Sequence, residues 1–506
     1  MGWFARTLKG NDPKDEISWD DRLAVAGFSP KDPWTLGDAY EGTVVFGATG
    51  AGKTSGPGAY IANGLLRLGL GGLILTVKPD EADAWEDRAQ ALGRGDDVRR
   101  VRPGGKYCFN FMAYASVRPH AQVGLADNIA DLIATLGGIT GDSATDASTK
   151  DPYWDNALKQ LVRNLVTALF IANGRVTLDE VMSLVAELPQ YPEQVGDPEW
   201  RERSAAGRLF QRLHTMDLTP TQRRDADVSA QYLLGEFPAL DERTSSSIVS
   251  TLTTLVDPFR RGPAHELFCT GCTVFPELCR LGAIIILDLD LKTYQAFGRT
   301  AQVIFKWFFQ QDMERTKSAD DASPVFLYAD EAQEFLTRDD KRFQATARSA
   351  RVATVYLTQN IPALQARLGG EAEVHGLLGN MQTKIFCQNA DPTTNKYAEQ
   401  LFGERDRMSR SINMSTNQGA PAGPDQRAQQ GGNQGFGLSE AREPLVRAEA
   451  LTLLAKGGRS NKFRVGTWVF QGGRVWRSTG LPAMHVGFDQ RGTARRSSKK
   501  RDSSKK

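Results

Sequence analysis

The chain has 506 residues, 24% charged and 40% hydrophobic, which gives room for roughly two or three ordinary domains. Its 62 basic and 60 acidic side chains nearly cancel to a formal charge of +2. That excludes a protein holding nucleic acid by bulk charge, but not one with a local basic groove. The balance is uneven: residues 495–506 carry seven basic and one acidic side chain, a net +6, leaving about −4 for the rest. No run approaches the ~20 apolar residues of a membrane span. Leu73–Val77 and Ala283–Leu289 are short and read as buried strands. The first residues lack the apolar core of a signal peptide, and Arg6 stands where a myristoylation signal has Ser or Thr. A cytoplasmic chain is expected, and five cysteines fit a reducing compartment without a disulfide framework.

Residues 1–35 are polar, contain Asp12-Pro13 and Asp32-Pro33, and read as an N-terminal extension. The first part of the main domain, 36–117, opens with an apolar run Thr43–Phe46, a glycine-rich turn, a helical stretch Ala59–Leu68 and a second run Leu73–Val77. Strand, loop, helix and strand make a βαβ unit and predict a parallel sheet. Residues 118–262 change period: Leu158, Leu161, Val162, Leu165 and Leu169 recur at helical spacing, as do Leu178, Val181, Met182 and Val185. Thr177 with Glu180 predicts a capping box, and Ser245–Leu255 is another helix. This segment reads as an all-alpha insertion. Over 263–490 the strands return at Ala283–Leu287, Val325–Tyr328, Ala353–Leu357 and Lys384–Cys387, with a helix at about 296–314. Residues 413–437 are rich in Gly, Gln and Pro and read as a flexible loop. Gly472-Gly473 predicts a hairpin between Gly466–Gln471 and Arg474–Ser478. Residues 491–506 form a basic tail that reads as disordered.

The strongest motif is Gly47-Ala48-Thr49-Gly50-Ala51-Gly52-Lys53-Thr54, which fits G-x-x-x-x-G-K-[ST] at every fixed position. Glycines let the backbone wrap so that N–H groups converge on phosphate oxygens. The helix that follows adds its positive N-terminal end. Lys53 then reaches the β- and γ-phosphates of ATP, and the Thr54 hydroxyl is a ligand for Mg²⁺. Gly56-Pro57-Gly58 in the first helical turn is unusual, because two glycines weaken a helix. A second site is the apolar strand ending in Asp330-Glu331. There Asp330 is the candidate second metal residue and Glu331 the base that polarises the attacking water. Two solvated acids at a helix start are the alternative. Gln359 ends the next strand, where it can touch the γ-phosphate or the water. Arg348 and Arg351 precede that strand; either can make a surface ion pair, or reach a neighbouring subunit's nucleotide as a finger.

These residues resemble the type IV coupling proteins of conjugation, the TraG/TraD group within the HerA–FtsK ring ATPases. The resemblance runs over about 40–480. It rests on Gly47–Thr54, Lys78-Pro79-Asp80-Glu81, Tyr153-Trp154, Asp330-Glu331-Ala332-Gln333, Gln359, and Leu377–Asn380 leading to Asp391–Thr394. It implies an α/β fold: a RecA-like P-loop NTPase domain with an inserted all-alpha domain. It implies a Mg-dependent ATPase working as a homo-hexamer with ATP at subunit interfaces. The track would be relaxase-bound single-stranded DNA, passed to the proteins of a type IV secretion channel. Lys53 and Thr54 then bind ATP and Mg²⁺, Asp330 and Glu331 are the Walker B pair, and Gln359 is the sensor. Arg348 is the better match to the arginine finger and Arg351 the second choice. Membrane-bound members carry a transmembrane segment that this sequence lacks, so docking at the inner membrane is expected through a partner. Two other readings are a soluble double-strand DNA pump and a receptor ATPase that docks secreted proteins without moving DNA.

Three further features carry less. His265, Cys269, Cys272 and Cys279 have the composition of a zinc site, but Cys279 follows an apolar stretch and reads as core. Arg201, Arg203, Arg208, Arg212, Arg223 and Arg224 are interspersed with acids and read as a solvated face. Trp307, Phe308 and Phe309 read as core rather than as a base-stacking platform.

Overall fold

In the computed structural model, residues 19–118, 124–140, 152–315, 322–417 and 431–493 are described. The strands, in chain order, are β1 (Ala24–Ser29), β2 (Asp32–Thr35), β3 (Thr43–Phe46), β4 (Gly71–Leu75), β5 (Val98–Val101), β6 (Ile284–Leu287), β7 (Val325–Ala329), β8 (Val352–Thr358), β9 (Thr383–Phe386), β10 (Glu404–Asn417), β11 (Gly431–Pro444), β12 (Arg464–Gln471) and β13 (Ala483–Asp489). A nine-stranded sheet has the order β13-β12-β9-β3-β8-β7-β4-β6-β5. From β9 to β5 neighbouring strands are parallel, while β12 runs antiparallel to both β9 and β13. The central strands are unbroken apolar runs because both faces are covered. Val44, Phe46, Leu73 and Leu327 pack on one face, and Val45, Ile74, Phe326 and Val355 on the other. This is the expected α/β class. β5 was not foreseen, since VRRV lacks the apolar signature of its neighbours.

Between β5 and β6 the described residues are largely helical. Helices Leu125–Thr140, Pro152–Asn173, Leu178–Ala186, Ala205–Thr215, Pro220–Gln231 and Glu242–Val256 supply the expected all-alpha part. Leu158, Leu161, Leu165, Val181 and Val185 are buried. The Thr177–Glu180 capping box forms in both directions. Arg201, Arg203, Arg208, Arg212 and Arg224 are exposed, as expected of a solvated face, and Arg223 is half-buried. Arg201, Arg212 and Arg223 also donate to backbone carbonyls: Val195 (2.5 Å), Ala172 (2.5 Å), and Leu213 with Met216 (both 2.7 Å). They satisfy carbonyls left over at chain turns and helix ends. Trp307, Phe308 and Phe309 are buried in the helix Leu291–Glu314.

Three segments differ from the sequence expectation. Residues 24–35, expected within an extension, form the β1–β2 hairpin, and Trp34 is wholly buried with its indole N–H on Thr383 Oγ1 at 3.2 Å. Arg474–Ser478 is not the partner of β12; β13 is. The N–H groups of Arg477 and Ser478 go instead to the Asp32 carboxylate, at 2.7 and 3.1 Å, and are lost to any ladder. Of the expected loop 413–437, residues 413–417 and 431–437 lie in the β10–β11 ladder, and 418–430 lie outside the described residues. A backbone ladder needs no apolar periodicity, so composition did not reveal it. The basic tail lies outside the described residues from 494 onward. Among the described residues, no helix is long and apolar enough to cross a membrane.

Asp32 therefore clamps the first hairpin to the last. Burial pushes its pKa up, but the Ser29 hydroxyl and the Ser478 and Arg477 donors outweigh that and hold it at about 2. Its contribution is present above the unfolded value near 3.8 and is lost as pH falls towards about 2. Asp32→Ala is expected to cost about 1.5–3 kcal/mol at neutral pH. Thermal melting of both chains should show the gap closing on acidification through that window; a gap constant with pH would refute the clamp.

Candidate functional site

The site forms where β3, β7 and β8 end, the edge at which an open α/β sheet binds ligands. The turn after β3 is held by Gly47 N–H on Thr358 O (3.2 Å) and Ala48 N–H on Gln388 O (2.9 Å). Gly50 and Gly52 have φ of 75° and 83°, a region that disfavours side chains. A Cβ on Gly52 would stand 2.5 Å from Val465 of β12. Thr54–Gly58 is a π-helical turn that leads into the helix Ala59–Arg67. Its glycines are there for close approach. A Cβ on Gly58 would lie 2.6 Å from the Tyr328 hydroxyl, and one on Gly56 would lie 3.1 Å from Val465. The helix-weakening pair of the sequence is thus a packing requirement of the sheet beneath.

Lys53 and Glu331 are both buried and form an ion pair at 2.8 Å. Beside them Thr54 Oγ1 donates to Asp330 Oδ2 at 2.5 Å. Glu331 sits at φ 51°, ψ 51°, a left-handed conformation that costs a non-glycine residue about 1–3 kcal/mol. Gln333 and Gln359 both donate to Glu331 Oε2, at 2.9 and 3.2 Å. Thr358 donates to Gln333 Oε1 at 2.8 Å, and Asn389 to the Gln359 carbonyl at 2.8 Å. Burial pushes the Glu331 pKa up, but Lys53 and the two glutamines outweigh it, and the net direction is down. Glu331 is a carboxylate at neutral pH, free to accept a proton once Lys53 is drawn elsewhere. Thr54 and Asp330 offer paired hard oxygen donors of the kind Mg²⁺ prefers, so these residues fit that ion.

Lys78 lines the same cleft, of about 780 Å³. Its neighbour Glu81 accepts from the Val77 and Lys78 amides at 2.7 and 3.2 Å. Burial, with the Asp330 charge adding to it, pushes the Glu81 pKa up. The structure thus brings together Gly47–Thr54, Asp330, Glu331 and Gln359. Gln333, within the quoted Asp330–Gln333 motif but given no role of its own, joins them. Sequence reasoning missed the far wall: Lys456, Gly457, Gly458, Asn461, Phe463 and Gln490. No local motif marks these residues; only the pairing of β12 with β9 brings them to the P-loop.

Arg348 is not at this site in its own chain. It lies before the start of β8, roughly 20 Å from the strand's other end at ~3.3 Å per residue. It is largely exposed and pairs with Glu41 at 2.9 Å. Arg351, at φ 51°, reaches the Trp19 carbonyl at 3.0 Å and Asp21 at 3.2 Å. The candidate zinc residues do not converge. Cys269 and Cys272 donate to the carbonyls of Phe259 and Val274, His265 faces Asp179, and Cys279 is buried. Burial pushes the Cys269 and Cys272 thiols up to about 12, far from the thiolate a metal needs.

Residues 324–456 match the family model described as the TraM recognition site of TraD and TraG. None of the curated proteins matches the sequence. The fold is similar to that of the bacterial conjugative coupling protein TrwBΔN70 in its unbound form, at 14% identity and a TM-score of 0.57, over 94% of this chain and 90% of that one. It is similar to TrwB in complex with ADP and Mg²⁺, at 14% identity and a TM-score of 0.57, over 94% and 91%. It is also similar to TrwB with a non-hydrolysable GTP analogue, at 15% identity and a TM-score of 0.54, over 94% and 92%. The resemblance read from the motifs is thereby met twice, in sequence over the stretch that holds β7, β8 and β9 and in fold over nearly the whole chain.

The ion pair commits the Lys53 ammonium to Glu331. Glu331→Gln removes the charge that competes with an incoming polyphosphate, so its affinity for inorganic tripolyphosphate is expected to rise several-fold. Calorimetric titration measures this, and an unchanged or weaker affinity would show that Lys53 is not restrained by Glu331.

Proposed function

We propose that this chain is a Mg·ATP-hydrolysing coupling ATPase of a conjugative type IV secretion system, moving relaxase-bound single-stranded DNA towards the channel. The observation that carries the reading is the Lys53–Glu331 and Thr54–Asp330 arrangement on a TrwB-like fold, within a sequence that matches the TraD/TraG model over 324–456. When ATP enters, Lys53 exchanges Glu331 for the β- and γ-phosphates. Glu331 is then left as an unpaired carboxylate, oriented by Gln333 and Gln359, and takes a proton from the attacking water. Thr54 and Asp330 would hold Mg²⁺, which would supply neutralisation of phosphate charge. The products are ADP and inorganic phosphate. Gln359 hangs from the end of β8, so a change at its side chain is passed along the strand towards Arg348. In a ring, Arg348 exchanges Glu41 for the nucleotide of the adjoining subunit. Work is cytoplasmic, with the inner-membrane channel reached through partner proteins.

ATP hydrolysis should rise with single-stranded DNA and lose that stimulation steeply with salt, as phosphate contacts require. Stimulation by duplex DNA alone would favour a double-strand pump. No stimulation by either would favour a receptor for secreted proteins. Lys53→Ala and Arg348→Ala should each lose about 10²-fold or more in turnover. Mixing the two variants should restore part of it, because each supplies what the other lacks. Absence of recovery in mixed assemblies would sink the trans role of Arg348.

A further inference from the structure

The cleft has a second end that the phosphate chemistry does not use. Ser55, the residue after Lys53 and Thr54, lines the same cleft. Ser55 Oγ accepts from Gln490 Nε2 at 2.6 Å. Gln490 Oε1 in turn accepts from Gly458 N–H at 2.8 Å, and the Gln490 amide donates to Phe463 O at 2.9 Å. The strap 456–463 is thus stitched directly to the P-loop helix. It is tightly wound: Phe463 N–H returns to Gly458 O at 2.7 Å, and Asn461 Nδ2 to Gly457 O at 3.0 Å. Lys462 and Phe463 both have positive φ, 52° and 60°. Two consecutive non-glycine residues in that region are strained, and such strain collects where a ligand is met. The result is that the half-buried Phe463 ring lines the cleft, with the Arg491 guanidinium 5.8 Å from its centroid.

Building on the nucleotide reading above, we propose that the strap is the nucleoside subsite and that Phe463 is the platform on which a purine base stacks. The nearby side-chain amides are committed, Gln490 at both ends and Asn461 through its NH₂ group, to the strap and Ser55. Recognition therefore rests on the base's π-face, which every purine offers, rather than on its hydrogen-bonding edge.

Calorimetric titration of the full chain with ATP, GTP and inorganic tripolyphosphate tests this. Phe463→Ala should weaken ATP and GTP alike by roughly 5- to 100-fold, the range of base–aromatic stacking, while tripolyphosphate binding stays as in the wild type. Phe463→Tyr should keep wild-type affinity for all three. An ATP affinity unchanged by Phe463→Ala would overturn the proposal. So would an equal loss for ATP and tripolyphosphate, which marks a damaged P-loop and a structural role. A wild-type preference beyond about tenfold for ATP over GTP would overturn recognition by stacking alone. Failure of the wild type to bind either ATP or tripolyphosphate would instead overturn the nucleotide reading on which the subsite stands.

Discussion

The Lys53–Glu331 ion pair is the contact on which the rest depends. Its two residues lie 278 positions apart and close at 2.8 Å in a buried site. A buried charge without a partner costs several kcal/mol, so neither residue tolerates the other's absence unless something replaces it. What can replace Glu331 beside Lys53 is another anion of the same reach. The contact is therefore a structural strut between the P-loop and the end of β7. β3 and β7 are separated by β8, so the pair spans the middle of the sheet and fixes the ends of the parallel strands relative to one another.

Much of this was legible in the sequence because parallel strands advertise themselves. Thr43–Phe46, Gly71–Leu75, Ile284–Leu287, Val325–Ala329 and Val352–Thr358 are runs with no polar alternation; Asp330 and Gln359 stand one residue beyond such runs and Glu331 two. A strand buried on both faces forces its first polar residue to the edge, and that edge is the site. The same logic explains the misses. β5 carries two arginines, and Arg100 spends its charge on Asp83, Glu86 and Asp288, so its strand character comes from its neighbours. The β1–β2 hairpin contains Pro33 and polar residues; what orders it is Trp34 entering a core made by distant strands. The hairpin register at Gly472-Gly473 was misread because an aspartate more than 400 residues away consumes the N–H groups the ladder needed.

The strap was illegible for the same reason. Lys456–Phe463 has no motif, only glycines that also fit an ordinary turn. Its meaning comes from Val465, which packs on Gly52 and Gly56 and seats the whole C-terminal hairpin against the P-loop. The glycines at 56 and 58 then make sense as a pair. One admits Val465 from the hairpin side, and the other admits Tyr328 and Leu357 from the sheet side. A helix that needed only to be stable would use alanine there. This one gives up intrinsic stability so that two layers can approach it within contact.

The site is consequently built from two structural sources that meet at one helix start. The parallel strands supply one wall, with Asp330, Glu331 and Gln359 just beyond their ends. The antiparallel β12–β13 pair supplies the opposite wall. Because β12 is bonded to β9 and β9 to β3, that wall is tied to the P-loop strand by backbone ladders rather than by side chains alone. A ligand that touches both walls bridges the central sheet and the C-terminal hairpin.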